Sequence, residues 1–169
     1  MIFITTGTSP CAFQRLVDAA SLLAERDQVV VQHGTAEPPP GVNAFAYAAE
    51  AVIAQYVREA DVVVCHAGAG STALALSLGR RPLVLARRAD LGENIDDHQV
   101  AFAERLARYG LATLCLNAQD IVRQSTSART SFPPFAAPSA GLIAAISAAI
   151  DTPPATAVRA VRGVRTPDV

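Results

Sequence analysis

Three observations predict an α/β fold, with one parallel sheet covered by helices on both faces in a Rossmann-like arrangement. Short apolar runs (Ile2–Thr5, Gln28–Gln32, Asp61–Cys65, Pro82–Ala86 and Leu111–Leu116) alternate along the chain with segments of helical spacing. The runs are mostly continuous in Val, Ile and Leu, as strands buried on both faces are. Turns of small residues follow several of them, as at Gly7, Gly34 and Gly68–Gly70. Strand and helix in strict alternation imply crossover units and a parallel sheet.

The first strand, Ile2–Thr5, ends at Thr6-Gly7-Thr8-Ser9-Pro10. Phe13, Leu16, Val17, Ala20 and Leu23 then recur at helical spacing. Gln28–Gln32 is the second strand, and Pro38-Pro39-Pro40-Gly41 is an irregular connection, because three prolines fit neither a helix interior nor a central strand. Val42–Tyr47 reads as a third strand, Ala51–Glu59 as a helix and Asp61–Cys65 as a strand. Ser71–Leu78 is helical and Pro82–Ala86 extended. A helix runs from about Ile95 to Arg108, with Val100, Phe102, Ala103, Leu106 and Ala107 on its buried side. Leu111–Leu116 is the last strand, Ser125–Pro134 a polar, proline-ended loop, and Ala140–Ile150 the last helix.

Composition bounds the rest. A chain of 169 residues builds one domain with a full core, here residues 1–150, and not two. Residues 151–169 carry Pro153-Pro154 and repeated Val-Arg steps, and read as a disordered basic tail or, alternatively, as an arm that orders on a partner subunit or an anionic membrane surface. The chain is 51% hydrophobic, with a mean hydropathy of +0.28. It nevertheless has no apolar run near the ~18 residues that a membrane span needs. Met1–Thr6 lacks a basic leader and reads as a strand. Cys11, Cys65 and Cys115 are few, odd in number and far apart, which argues against a disulfide framework or zinc site and for a cytoplasmic location. A net charge of −1 excludes bulk electrostatic binding of nucleic acid.

The chemistry concentrates in Cys65-His66-Ala67-Gly68-Ala69-Gly70-Ser71-Thr72, where a strand breaks into small residues and a helix begins. Backbone N–H groups and two hydroxyls gather there at a helix N-terminus, whose partial positive charge favours an anion. His66 is a further donor. Packing alone explains a Gly-rich turn equally well, so the neighbours decide. Thr5-Thr6-Gly7-Thr8 falls on the same sheet edge, as does the loop Arg87-Arg88-Ala89-Asp90-Leu91-Gly92-Glu93-Asn94-Ile95-Asp96-Asp97-His98-Gln99. The polar side chains of that loop suit sugar hydroxyls, each of which wants a donor and an acceptor. The same loop is otherwise a charged surface segment in which Asp96 or Asp97 caps a helix. A NAD-type site is disfavoured, since Gly7-Thr8-Ser9-Pro10 lacks the three-glycine fingerprint.

Ala60–Ser71, Leu78–Leu85 and Asp97-His98-Gln99 together resemble the C-terminal, nucleotide-sugar-binding half of GT-B glycosyltransferases of the family 28 type. The start Ile4–Thr8 and the loop Arg87…Leu91–Gln99 are most similar to the short catalytic subunits of two-component capsule and exopolysaccharide glycosyltransferases. The resemblance covers about Met1 to Asn117. It implies a heteromeric, inverting hexosyltransferase that moves a sugar from a UDP-sugar donor to a lipid-linked sugar acceptor. It also implies a membrane-associated partner subunit that holds the chain at the inner face of the cell membrane. Apolar surface facing the missing half is expected to pair the chain with a second copy of itself when that partner is missing. A non-catalytic, nucleotide-binding regulatory module is the competing reading. No cofactor or metal is implied.

Carried over by position, the diphosphate falls on Gly7, Thr8, His66, Gly68, Gly70, Ser71 and Thr72. Arg87 lies beside the nucleotide, while Asn94, Asp97, His98 and Gln99 face the donor sugar. No catalytic base is assigned, and His66 is the candidate. Many relatives bind the ribose with a Glu eight residues after the loop His; here that position is Leu74, and Glu93 is the expected substitute.

Overall fold

The computed structural model describes residues 1–131, and the side chains of Met1 to Ala128. Six parallel strands form one sheet: β1 (Ile2–Thr5), β2 (Val29–Gln32), β3 (Asn43–Phe45), β4 (Val62–Cys65), β5 (Leu83–Leu85) and β6 (Thr113–Cys115). Their order is β3-β2-β1-β4-β5-β6, so the chain builds outward from β1 to one edge and then returns to β1's other side. The helices are α1 (Gln14–Val17), α2 (Ala19–Ala24), α3 (Glu50–Glu59), α4 (Ala69–Ser77), α5 (His98–Arg108) and α6 (Ala118–Ser131). Among the described residues, no helix is long and apolar enough to cross a membrane.

Side-chain alternation along each strand makes two cores. Ile2, Ile4, Val29, Val31, Val62, Val64, Leu83 and Leu85 pack on one face against Phe13, Leu16, Val17, Leu23 and Ile121 of the α1, α2 and α6 side. The opposite face divides in two. Phe3, Val30 and Val63 meet Val57 of α3 and Ala75 of α4. Cys65 and Val84 meet Leu76, Phe102, Ala103 and Leu106.

Three expectations need correction. The first helical segment is two short helices that meet at Asp18, rather than one. The helix expected from Ile95 begins at His98. Gly92, at φ +70°, closes a 3₁₀ turn, and Ile95 stands 89% exposed in the loop that follows. Ser125–Ser131 is the second half of α6 and not a loop: Ser125 is buried and returns its hydroxyl to the Val122 carbonyl (2.8 Å), so a polar stretch is helical on one buried stripe. The helix expected over Ala140–Ile150 and the tail from 151 lie outside the described residues.

Candidate functional site

The parallel register brings Thr5 of β1 level with Gln32 of β2 and with Cys65 of β4. These are the last residues of their strands, and all three point to the α3/α4 face. Strand order reverses between β1 and β4, and open parallel sheets bind ligands beyond the strand ends at such a point. A cleft of about 530 Å³ opens there. One wall is His66 with Gly68, Ala69, Gly70, Ser71 and Leu74; the other is Tyr47, Ala48, Glu50 and Ile53, with Thr5, Gly7, Thr8 and Gln32 between them.

The first backbone bond of α4 runs from the Thr72 N–H to the Gly68 carbonyl (3.0 Å). Gly68 is the N-cap and offers no side chain to the helix end. The N–H groups of Ala69, Gly70 and Ser71 therefore lie within the helix's first, unbonded turn. Before them stands Ala67, buried and left-handed at φ +57°, a conformation costly for any residue with a Cβ. Backbone strain of this kind concentrates where a loop's shape is needed for function.

The glycines of the site do different work. A Cβ on Gly7 would lie 2.3 Å from His66 Cε1, and one on Gly68 only 2.1 Å from His66 Nε2. Both are glycine so that the imidazole can lie against the backbone, and Gly7 is also held at φ +73°. At Gly70 a Cβ would meet nothing within 4 Å. Packing therefore does not require glycine there, and Gly70 borders the cleft with open space before it.

His66 is 8% exposed, and its Nδ1 has no hydrogen-bond partner. Burial first, and the charge of Arg87 second, push its pKa down to about 4, while a contact with the Thr5 backbone acts the other way. At neutral pH it is an uncharged imidazole that can give or take one hydrogen bond.

Gln32 was not anticipated. Its Oε1 accepts from Thr5 Oγ1 (2.6 Å) and from the Gly7 N–H (3.1 Å), while its Nε2 donates to the carbonyls of Gly7 and Ala46 (both 2.8 Å). It ties the Gly7 turn to the exit of β3 and leaves none of its own polar atoms idle. A lone glutamine at a strand end carries no signal of this in the sequence.

The remaining expected residues separate from the cleft. Thr72 is buried, with its hydroxyl 3.9 Å from Cys65 Sγ, so of the Ser71-Thr72 pair Ser71 alone lines the cleft. Arg87 is fully buried and donates to the carbonyls of Cys11 (2.7 Å), Glu93 (3.0 Å) and Thr6 (2.9 Å). Glu93 holds Arg15 through both oxygens (3.0 and 2.7 Å) and also accepts from the Arg88 N–H (3.0 Å). Neither side chain lines the cleft. Asn94 and Asp97 lie in the loop entering α5, and His98 and Gln99 are the first residues of that helix. Asp97 accepts from the Ala89 N–H (2.8 Å), and exposed His98 pairs with Asp96. Asn94 Nδ2 and Gln99 Oε1 are buried without partners, one donor and one acceptor. Asp97 also borders a second hollow of about 630 Å³, at the ends of β5 and β6.

Residues 1–140 match the model of the glycosyltransferase family 28 C-terminal domain. The chain belongs to that family. Among solved structures it resembles the glycosyltransferase SnogD from Streptomyces nogalater (18% identity, TM-score 0.56, 88% of this chain and 38% of that one). It also resembles the calicheamicin glycosyltransferase CalG4 (15% identity, TM-score 0.54, 88% and 37%). The solution structure of ALG13 matches at 17% identity with a TM-score of 0.52, over 79% of this chain and 88% of that one. At such identities the likeness shows the fold, the Rossmann-like half of a GT-B glycosyltransferase. The chain spans under two-fifths of SnogD and CalG4 and most of ALG13. No protein of curated function matches it by sequence.

Proposed function

We propose that this chain is the donor-binding subunit of a two-component, inverting glycosyltransferase. It takes a sugar from a UDP-sugar and passes it to a lipid-linked acceptor in capsule or exopolysaccharide synthesis. One observation carries the reading: the uncapped start of α4, the open space at Gly70 and His66, whose Nδ1 has no partner, converge on one cleft. The α4 dipole, its free N–H groups and the Ser71 hydroxyl stabilise the diphosphate as it leaves, the moment at which fixed dipoles contribute most. The nucleoside lies along Tyr47, Ile53 and Leu74, which give the cleft an apolar wall. The buried, unpartnered atoms of Asn94 and Gln99 suit a sugar hydroxyl, which donates to one and accepts from the other. The acceptor, and with it a general base, comes from a membrane-associated partner at the inner face of the membrane.

A non-catalytic nucleotide-binding module is the second reading, favoured by apolar Leu74 in the cleft wall. The sugar loop separates the two. Gln99→Ala should weaken an intact UDP-sugar by roughly 5- to 30-fold, the range for one hydrogen bond of about 1–2 kcal/mol. Binding of UDP itself should stay within about twofold, since the loop does not reach the diphosphate. Calorimetric titration of both ligands reads this directly. Equal losses would leave Gln99 a helix residue and remove the sugar site.

A further inference from the structure

Arg87 is the largest fully buried side chain of the described residues, 1% exposed. Its hydrogen bonds go to three backbone carbonyls, its Nε has no partner, and its guanidinium lies over the Phe13 ring at 4.7 Å. None of these partners bears a charge. The carboxylate of Glu93, on the same loop, is already committed to Arg15. Arg15, Glu93 and Arg87 together therefore hold one positive charge in excess. A buried charge without a counter-charge is costly, and a fold that keeps one invites an anion.

That charge sits directly behind the cleft. The Thr6 carbonyl it holds belongs to the peptide that leads into Gly7, a lining residue. Two other lining residues, His66 and Tyr47, interact electrostatically with it. The cleft wall itself contains no arginine, and the sequence contains no lysine. His66 is uncharged at neutral pH, as shown above. The N-terminus of α4 amounts to about half a charge, less than a diphosphate carries.

We infer that Arg87 supplies, through the Thr6–Gly7 peptide and without touching the ligand, the positive charge that balances a diphosphate in the cleft. The inference rests on the proposed reading of the cleft as a nucleoside-diphosphate site. It differs from a bracing role, which would position the loops for every ligand alike. A charge acting at a distance distinguishes ligands by their phosphates and tolerates replacement by another cation.

The test is an amide chemical-shift titration of the whole chain with UDP and with uridine, using wild type, Arg87→Lys and Arg87→Gln. Arg87→Gln should weaken UDP tenfold or more and leave uridine within twofold. Arg87→Lys should keep UDP within about threefold of wild type. Equal losses of UDP and uridine, or a folded Arg87→Lys as weak as Arg87→Gln, would overturn the inference. Should the Arg87 variants not fold, Glu93→Gln asks the same question from the other side. By removing the one negative charge of the cluster it should tighten UDP severalfold and leave uridine unchanged; unchanged or weaker UDP binding overturns the inference. If wild type binds neither UDP nor pyrophosphate, the reading of the cleft fails, and the inference with it. If wild type binds UDP and the variants do not discriminate, only the inference fails.

Discussion

Gly70→Val is expected to weaken UDP at least about a hundredfold, or some 2.8 kcal/mol, while the protein stays folded. A Cβ there meets no atom of the surrounding elements within 4 Å and Gly70 lines the cleft, so the isopropyl group should project into the cleft and not into the core. In the first turn of a helix valine costs no more than glycine, so the melting temperature should hold within about 3 °C. Gly68→Ala should behave in the opposite way. Its methyl group would overlap the His66 ring, with only 2.1 Å to Nε2, and the imidazole must move. Overpacking of this kind costs about 1–3 kcal/mol, or roughly 2–12 °C in a chain of this size. Thermal melts with UDP titrations on both variants check the pair. A Gly70→Val protein that binds UDP as wild type does would remove the diphosphate from the start of α4.

The second large effect concerns turnover. Purified alone and given UDP-sugars with a lipid-linked acceptor, the chain should transfer sugar at under about a hundredth of the rate seen with its partner subunit. The described residues form one Rossmann-like half, and the chain spans only 38% of SnogD. Effective molarity from holding two substrates together accounts for many powers of ten in rate, and on the proposed reading the acceptor half of the site comes from the partner. Radiolabelled transfer to the lipid fraction, with and without co-expressed partner, measures the ratio. Equal rates would mean that this chain carries its own acceptor site.

The sheet was legible because its strands are buried on both faces and so appear as unbroken Val-Ile-Leu runs, Val62–Val64 being the plainest. The α4 turn was legible because small residues leave few other uses for a strand-to-helix junction. What the sequence hid were contacts across the sheet. Nothing local reveals that Gln32 would hold both the N–H and the carbonyl of Gly7 from the neighbouring strand. Gly7 and Gly68 lie 61 positions apart and share one neighbour, His66, visible only once β1 and β4 are paired. Arg87 and Glu93 look like surface charges in a polar loop, yet one is stacked on Phe13 and the other closed by Arg15. Their burial follows from where α1 docks. The cleft wall contributed by Tyr47, Glu50 and Ile53 was missed because the α3 segment reads as an ordinary amphipathic helix.

The central claim is that the cleft between β1 and β4 binds the diphosphate of a nucleotide. Amide chemical shifts of the isotope-labelled chain during addition of UDP test it most directly. The account predicts saturable shifts largest at Gly7, Ala69, Gly70 and Ser71, with smaller ones at Tyr47 and Ile53. Shifts confined to the hollow at the ends of β5 and β6, or none at all with UDP, would contradict it.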